Sequence, residues 1–129
     1  MKGFGRDSAS VVKLVLPAQP WALGLARLAV ANLANHQGFS FEEIEDLRLA
    51  IEEACLVLMG SEARQGSLAI SFVLGEASLD VEACLEGPAG AISPTEMSLR
   101  ILEALVDHCD VDGTARRVHI RRELPRALS

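Results

Sequence analysis

Two consecutive glutamates, Glu52 and Glu53, stand in a stretch from Phe41 to Met59 where Ile44, Leu47, Ile51, Ala54, Cys55 and Leu58 recur at helical spacing. Neighbouring residues on a helix point in different directions, so the two carboxylates meet different surroundings. Glu52 follows Arg48 by four residues and reads as half of a surface ion pair with it, contributing about 0.3–0.5 kcal/mol. Glu53 has Leu49, Ala50, Leu56 and Val57 three and four residues away, all apolar. Its carboxylate therefore emerges from an apolar surround. It reads as a half-buried helix carboxylate paired with an arginine, a reading that outweighs a catalytic one. His108, Cys109, Asp110 and Asp112, with His119 nearby, are residue types that ligate zinc, but their spacing matches no recognised ligand pattern, and Asp110-Val-Asp-Gly113 reads as a turn. No metal is expected. Cys55, Cys84 and Cys109 are too few and too scattered for a disulfide framework or a CxxC site, and they read as buried free thiols.

These residues need elements to hold them. The chain has 129 residues, 50% apolar and 23% charged, which describes one domain able to bury a core. Residues 1–10 and 125–129 are expected to be frayed ends around a single domain over 11–124. The apolar runs stop short of the roughly 20 residues of a membrane span, and the N-terminus lacks the order of a signal peptide, so a cytoplasmic location is expected. The net charge of −6 argues against a nucleic-acid binder, which needs Lys and Arg to replace phosphate counterions. The one basic cluster, Arg116-Arg-Val-His-Ile-Arg-Arg122, alternates in part with apolar residues and reads as the solvated face of a terminal strand.

Val11 to Leu16 is a β-branched run that Pro17 closes. Trp21, Leu25, Leu28, Ala29, Asn32 and Leu33 predict a helix from Ala18 to Asn35, with His36-Gln-Gly38 as its stop. Ser40 followed by Glu43 is a capping box, so the second helix starts near Phe41 and runs to about Gly60. Leu68 to Leu74 and Ser78 to Glu86 flank the tight Gly75-Glu-Ala77 and predict an antiparallel hairpin. After a Gly- and Pro-containing loop, Thr95 caps a third helix through about His108; two strands follow, from Cys109 and from Ala115 to Leu124. The order β-α-α-β-β-α-β-β predicts an α+β fold: a two-layer α/β sandwich with helices on one face of a mostly antiparallel sheet.

This order, together with Asp46-Leu-Arg-Leu-Ala-Ile-Glu-Glu-Ala-Cys55, resembles the small anti-sigma factor serine kinases of the RsbW type, members of the GHKL (histidine kinase-like, Bergerat fold) ATPases. In that family the helix carries a Glu near the attacking group and, four residues on, an Asn that holds magnesium beside the phosphates. The resemblance puts the Glu on Glu53 and the Asn on Val57, which has no oxygen for a hard cation. The family's DxGxG motif, whose Asp reads the adenine amino group, falls on Leu85-Glu-Gly-Pro-Ala89; Leu85 replaces the Asp and Gly87 is the surviving glycine. The glycine pair that approaches phosphate at the start of the last helix corresponds to Glu96-Met-Ser98-Leu99, where a glutamate repels phosphate.

The resemblance thus implies a degenerate member: an anti-sigma factor-like regulator that binds a sigma factor, is relieved by an anti-anti-sigma (STAS-type) antagonist, and uses no cofactor. It further implies a partner surface on the first helix, where Arg27, Asn32 and Asn35 are polar, and the possibility of a homodimer. Trp21 reads equally as core and as interface anchor. The alternative implied by the same resemblance is an active serine kinase using ATP and magnesium, with Glu53 promoting attack by a serine of the antagonist. No nucleic-acid or membrane partner is expected.

Overall fold

The capping box at the second helix forms as its residue types require. Ser40 N–H donates to Glu43 Oε1 at 2.7 Å, and Glu43 N–H donates back to Ser40 Oγ at 3.1 Å. In the computed structural model, which describes residues 10–60, 64–88 and 90–125, this box opens a helix over Phe41–Met59. The elements in order are β1 (Ser10–Pro17), a 3-10 turn (Pro20–Ala22), α1 (Leu23–Gln37), α2 (Phe41–Met59), β2 (Ser67–Leu74), β3 (Ser78–Glu86), α3 (Glu96–Leu105), β4 (His108–Asp112) and β5 (Arg117–Glu123). Ser10, expected to fray, pairs with Leu74; the remaining terminal residues, 1–9 and 126–129, lie outside the described residues.

Three helix boundaries differ from expectation, each for a physical reason. The first helix does not start at Ala18. Pro20 and Trp21 form a 3-10 turn whose Ala22 is buried, and the α-helical bonds begin only at Leu23. α1 then runs past Asn35 to Gln37 and stops at Gly38, whose φ of 96° is left-handed; its N–H donates to Asn35 O at 3.1 Å. α3 ends at Leu105 rather than near His108. The Leu105 carbonyl accepts from Arg122 Nη1 at 2.5 Å, and Val106 turns extended with its side chain buried.

All five strands form one antiparallel sheet in the order β1-β2-β3-β5-β4. β5 is therefore interior, although it is last in sequence. Its arginines meet acids from neighbouring strands: Arg117 reaches Glu82 at 3.1 Å, and Arg121 reaches Asp80 at 2.8 Å. His119 Nε2 lies 2.8 Å from the other oxygen of Asp80. The basic cluster is thus laced into a mixed-charge network, not displayed as one positive face.

Period-two alternation sends Leu68, Ile70 and Phe72 of β2, Leu79, Val81, Ala83 and Leu85 of β3, and Val118 and Ile120 of β5 toward the helices, where all are buried. Against them pack Leu47, Ala50, Ile51, Ala54, Cys55, Leu58 and Met59 of α2, flanked by α1 on one side and α3 on the other. The opposite sheet face carries the charged network. Helices on one face of an antiparallel sheet make the two-layer α+β sandwich that the element order predicts. Among the described residues no helix is long and apolar enough to cross a membrane.

Candidate functional site

The C-terminal half of α2 carries both positions that the resemblance singles out, and the structure sends them to different places. Val57 lines a cavity of about 330 Å³ together with Leu56, Gly60, Arg64, Thr95 and Ser98. Glu53 lines a separate groove between α2 and α3, and Leu56 borders both. Among the described residues no hydrogen bond or ion pair reaches the Glu53 carboxylate, so the expected arginine partner is not there.

The cavity is built by the segment leading into α3. Ile92 N–H donates to Gly113 O at 3.0 Å, which pins this segment to the β4–β5 turn, and Gly113 sits so close to the Ile92 carbonyl that a side chain has no room. Thr95 then caps α3, accepting from Ser98 N–H at 3.0 Å, with Glu96 in the first turn. Ser98 and Val57 are thus brought together across the cavity. Arg64 spends its Nε–H on the Met59 carbonyl at 2.8 Å, closing the end of α2.

Among the described residues, none of the side chains lining this cavity is a carboxylate or an amide. Hard cations take oxygen ligands, usually with at least one carboxylate for magnesium, and Val57 supplies none. Leu85 is 1% exposed and belongs to the core, so no acceptor for an adenine amino group reaches the cavity from that position. Glu96 adds negative charge where a helix start would otherwise favour phosphate. Among the described residues, this donor set does not fit a magnesium nucleotide. Leu49 stands at the other groove and is 54% exposed.

Gly87 is present for a local reason. Its φ is 121°, and a Cβ there would fall 2.8 Å from the Gly66 Cα; Gly66, at φ 97°, is equally crowded by the Glu86 carbonyl. The two glycines let the start of β2 and the end of β3 cross at backbone contact. Ala89 of the same motif lies outside the described residues.

On α1, Asn32 and Asn35 are exposed, whereas Arg27 is half-buried and engaged. Its Nη1 lies 3.2 Å from Glu52 Oε1. This overturns the expected Arg48–Glu52 pair: Arg48 turns back to Glu45 at 2.8 Å, because α1 offers Glu52 a nearer cation. Two apolar stripes compete on α1, and only the one containing Leu23, Ala26, Val30 and Ala34 is buried. Trp21, at 69% exposure, Leu28, at 68%, and Leu25 face outward in line with Asn32 and Asn35. Sequence reasoning missed this exposed stripe; the signal was that the helix carries more apolar positions than one face can bury.

Of the cysteines, Cys55 is buried and its thiol is pushed up to about 12 by desolvation, reinforced by the charge of Glu52. Burial also pushes the Cys109 thiol up, helped by Glu103 and Asp110. Register places His108, Asp110 and Asp112 on one face of β4 and Cys109 on the other. Among the described residues no three His, Cys, Asp or Glu side chains converge as a metal site.

No model of a known protein family matches the chain. It is similar to the serine-protein kinase RsbW of Bacillus subtilis, with 33% identity over 85 residues, covering 64% of this chain and 53% of that protein. The RsbW of Bacillus pumilus is 30% identical over 80 residues, 58% of this chain and 49% of the relative. The chain thus spans about half the length of the curated relatives it matches. A crystal structure of the RsbU and RsbW domains of Rv1364c from Mycobacterium tuberculosis superposes with a TM-score of 0.66 at 16% identity, covering 89% of this chain and 32% of that one, a likeness of fold. The sheet order, the helix layer and the sequence identity to these kinases agree in supporting a likeness to the RsbW type of the GHKL family.

Proposed function

We propose that this chain is a protein-binding regulator of the anti-sigma type, which holds a sigma factor, is relieved by a STAS-type anti-anti-sigma protein, and works in the cytoplasm without turning over ATP. The observation that carries this reading is Leu85. At the position where the resembling kinases read adenine, an aliphatic side chain is sealed in the core, and Val57 leaves the cation without an oxygen. The exposed line of Trp21, Leu25, Leu28, Asn32 and Asn35 on α1 supports a partner surface, since aromatic and aliphatic anchors with a polar border are what interfaces desolvate. The net charge of −6 suits a basic partner, whose encounter it accelerates. A homodimer is part of the same reading.

The second reading, a serine kinase using ATP and magnesium, draws on the carboxylate of Glu53, which has no ion-pair partner among the described residues and could act as the base toward a serine hydroxyl. Titration with ATP in excess magnesium, by calorimetry and thermal shift, separates the two. The regulator gives no heat and no shift at millimolar nucleotide. A ligand bound only by the folded state stabilises it by about 2.7 kcal/mol at a hundred times its Kd, so a saturable shift would establish nucleotide binding and overturn the proposal.

A further inference from the structure

The groove between α2 and α3 has a volume of about 420 Å³ and is lined by Leu49, Leu56, Ile101 and Leu105, with Glu52 and Glu53 as its acidic members. Leu49 on one helix and Ile101 on the other, the latter 37% exposed, leave apolar surface in water on both banks. The two carboxylates differ. Glu52 is neutralised by Arg27 from α1, whereas Glu53 has no counter-ion among the described residues. Anything that covers this groove with apolar groups alone would strip water from an unpaired carboxylate, at a cost that only a cation can offset.

We propose that this groove docks an amphipathic helix of a partner protein, one that places two or three aliphatic side chains between α2 and α3 and an adjacent arginine or lysine on Glu53. The backbone favours a helix over an extended peptide. The N–H and C=O groups of α2 and the N–H groups of α3 at the groove are spent within their own helices, so a strand lying there would bury most of its backbone without partners, while a helix arrives satisfied. The dimensions agree: Leu49 and Leu56 are seven residues apart, about 10 Å of helix, which matches anchors at i, i+3 or i+4, and i+7. This inference rests on the reading of the chain as a protein-binding regulator but uses a surface distinct from the α1 stripe, and it gives Glu53 a role that needs no nucleotide.

The test selects helical peptides displayed as a library against the full chain, then measures the selected peptide by fluorescence anisotropy. Selected sequences carry Leu, Ile or Met at helical spacing with an adjacent Arg or Lys. Ile101→Glu and Leu49→Glu each weaken binding more than tenfold while the unfolding midpoint holds, since both positions are exposed. Glu53→Gln weakens it about tenfold, and replacing the peptide cation by Gln costs nothing further in that variant. Failure to select any peptide, or selected peptides that bind Ile101→Glu or Glu53→Gln undiminished, would overturn the proposal. So would self-association of the protein that Ile101→Glu abolishes, because the occupant would then be a second copy. Nucleotide binding would overturn the proposed function and leave this result standing; loss of the Ile101 dependence would do the reverse.

Discussion

Arg27 and Glu52 join α1 to α2 through an ion pair of 3.2 Å, with both side chains about one-third exposed. The pair is reached only after the two helices dock, and it competes with the intrahelical partner four residues back. A double-mutant cycle on Arg27→Ala and Glu52→Ala is expected to give a coupling of about 0.2–1 kcal/mol, diminished by salt. The same cycle on Arg48 and Glu52 should give none, because Arg48 is held by Glu45. Denaturant midpoints at two ionic strengths measure both.

Gly66→Ala and Gly87→Ala should each destabilise the chain by more than about 1 kcal/mol, since a β-carbon at either position collides with backbone and both hold positive φ. If Gly87 were retained for phosphate contact alone, its replacement would leave the unfolding midpoint unchanged.

Val57→Asn is expected to fold, because the site is half-buried and lines a cavity, yet to show no thermal shift with ATP and magnesium while Leu85 and Glu96 remain. Leu85→Asp should cost about 3 to 5 kcal/mol, the range for an uncompensated buried charge replacing a core leucine. Urea unfolding of the two variants reads both outcomes.

Burial holds the Cys55 thiol protonated to about pH 12, against an ordinary value of 9.0. Between those values the unfolded chain releases a proton that the folded chain keeps, so folding stability falls as pH rises through that window. The loss from this group is at most about 1.4 kcal/mol per pH unit, and Cys55→Ala should remove its part of the slope. At pH 8 in the native protein Cys55 should be the last of the three thiols to react with an aromatic disulfide; prompt labelling would contradict its burial.

Ser40→Ala should cost about 1 kcal/mol, because it deletes one half of the reciprocal cap of α2 and leaves the Glu43 amide without its acceptor. Thermal unfolding against Glu43→Ala, which removes the other half, checks the pairing.

Much of the fold was legible in residue types because its signals are local. A cap is read within four residues, a left-handed stop needs one glycine, and the β2–β3 hairpin needs two alternating runs about a tight turn. The absence of oxygen at Val57 and of a carboxylate at Leu85 is likewise a property of the side chain alone. What residue types left open were choices between competing partners at long sequence separation. Docking of α2 selected Leu23, Ala26, Val30 and Ala34 for burial and left Trp21, Leu25 and Leu28 in water. Arg122, reaching Leu105 and Asp46, ended α3 earlier than its own pattern suggests. Insertion of β5 between β3 and β4 turned a basic run into paired charges, and separation of Glu53 from Val57 put one at a groove and the other in a cavity. In each case a helix or strand offers more apolar surface or charge than one neighbour can take, and the partner that removes most of it from water is known only once the layers are packed.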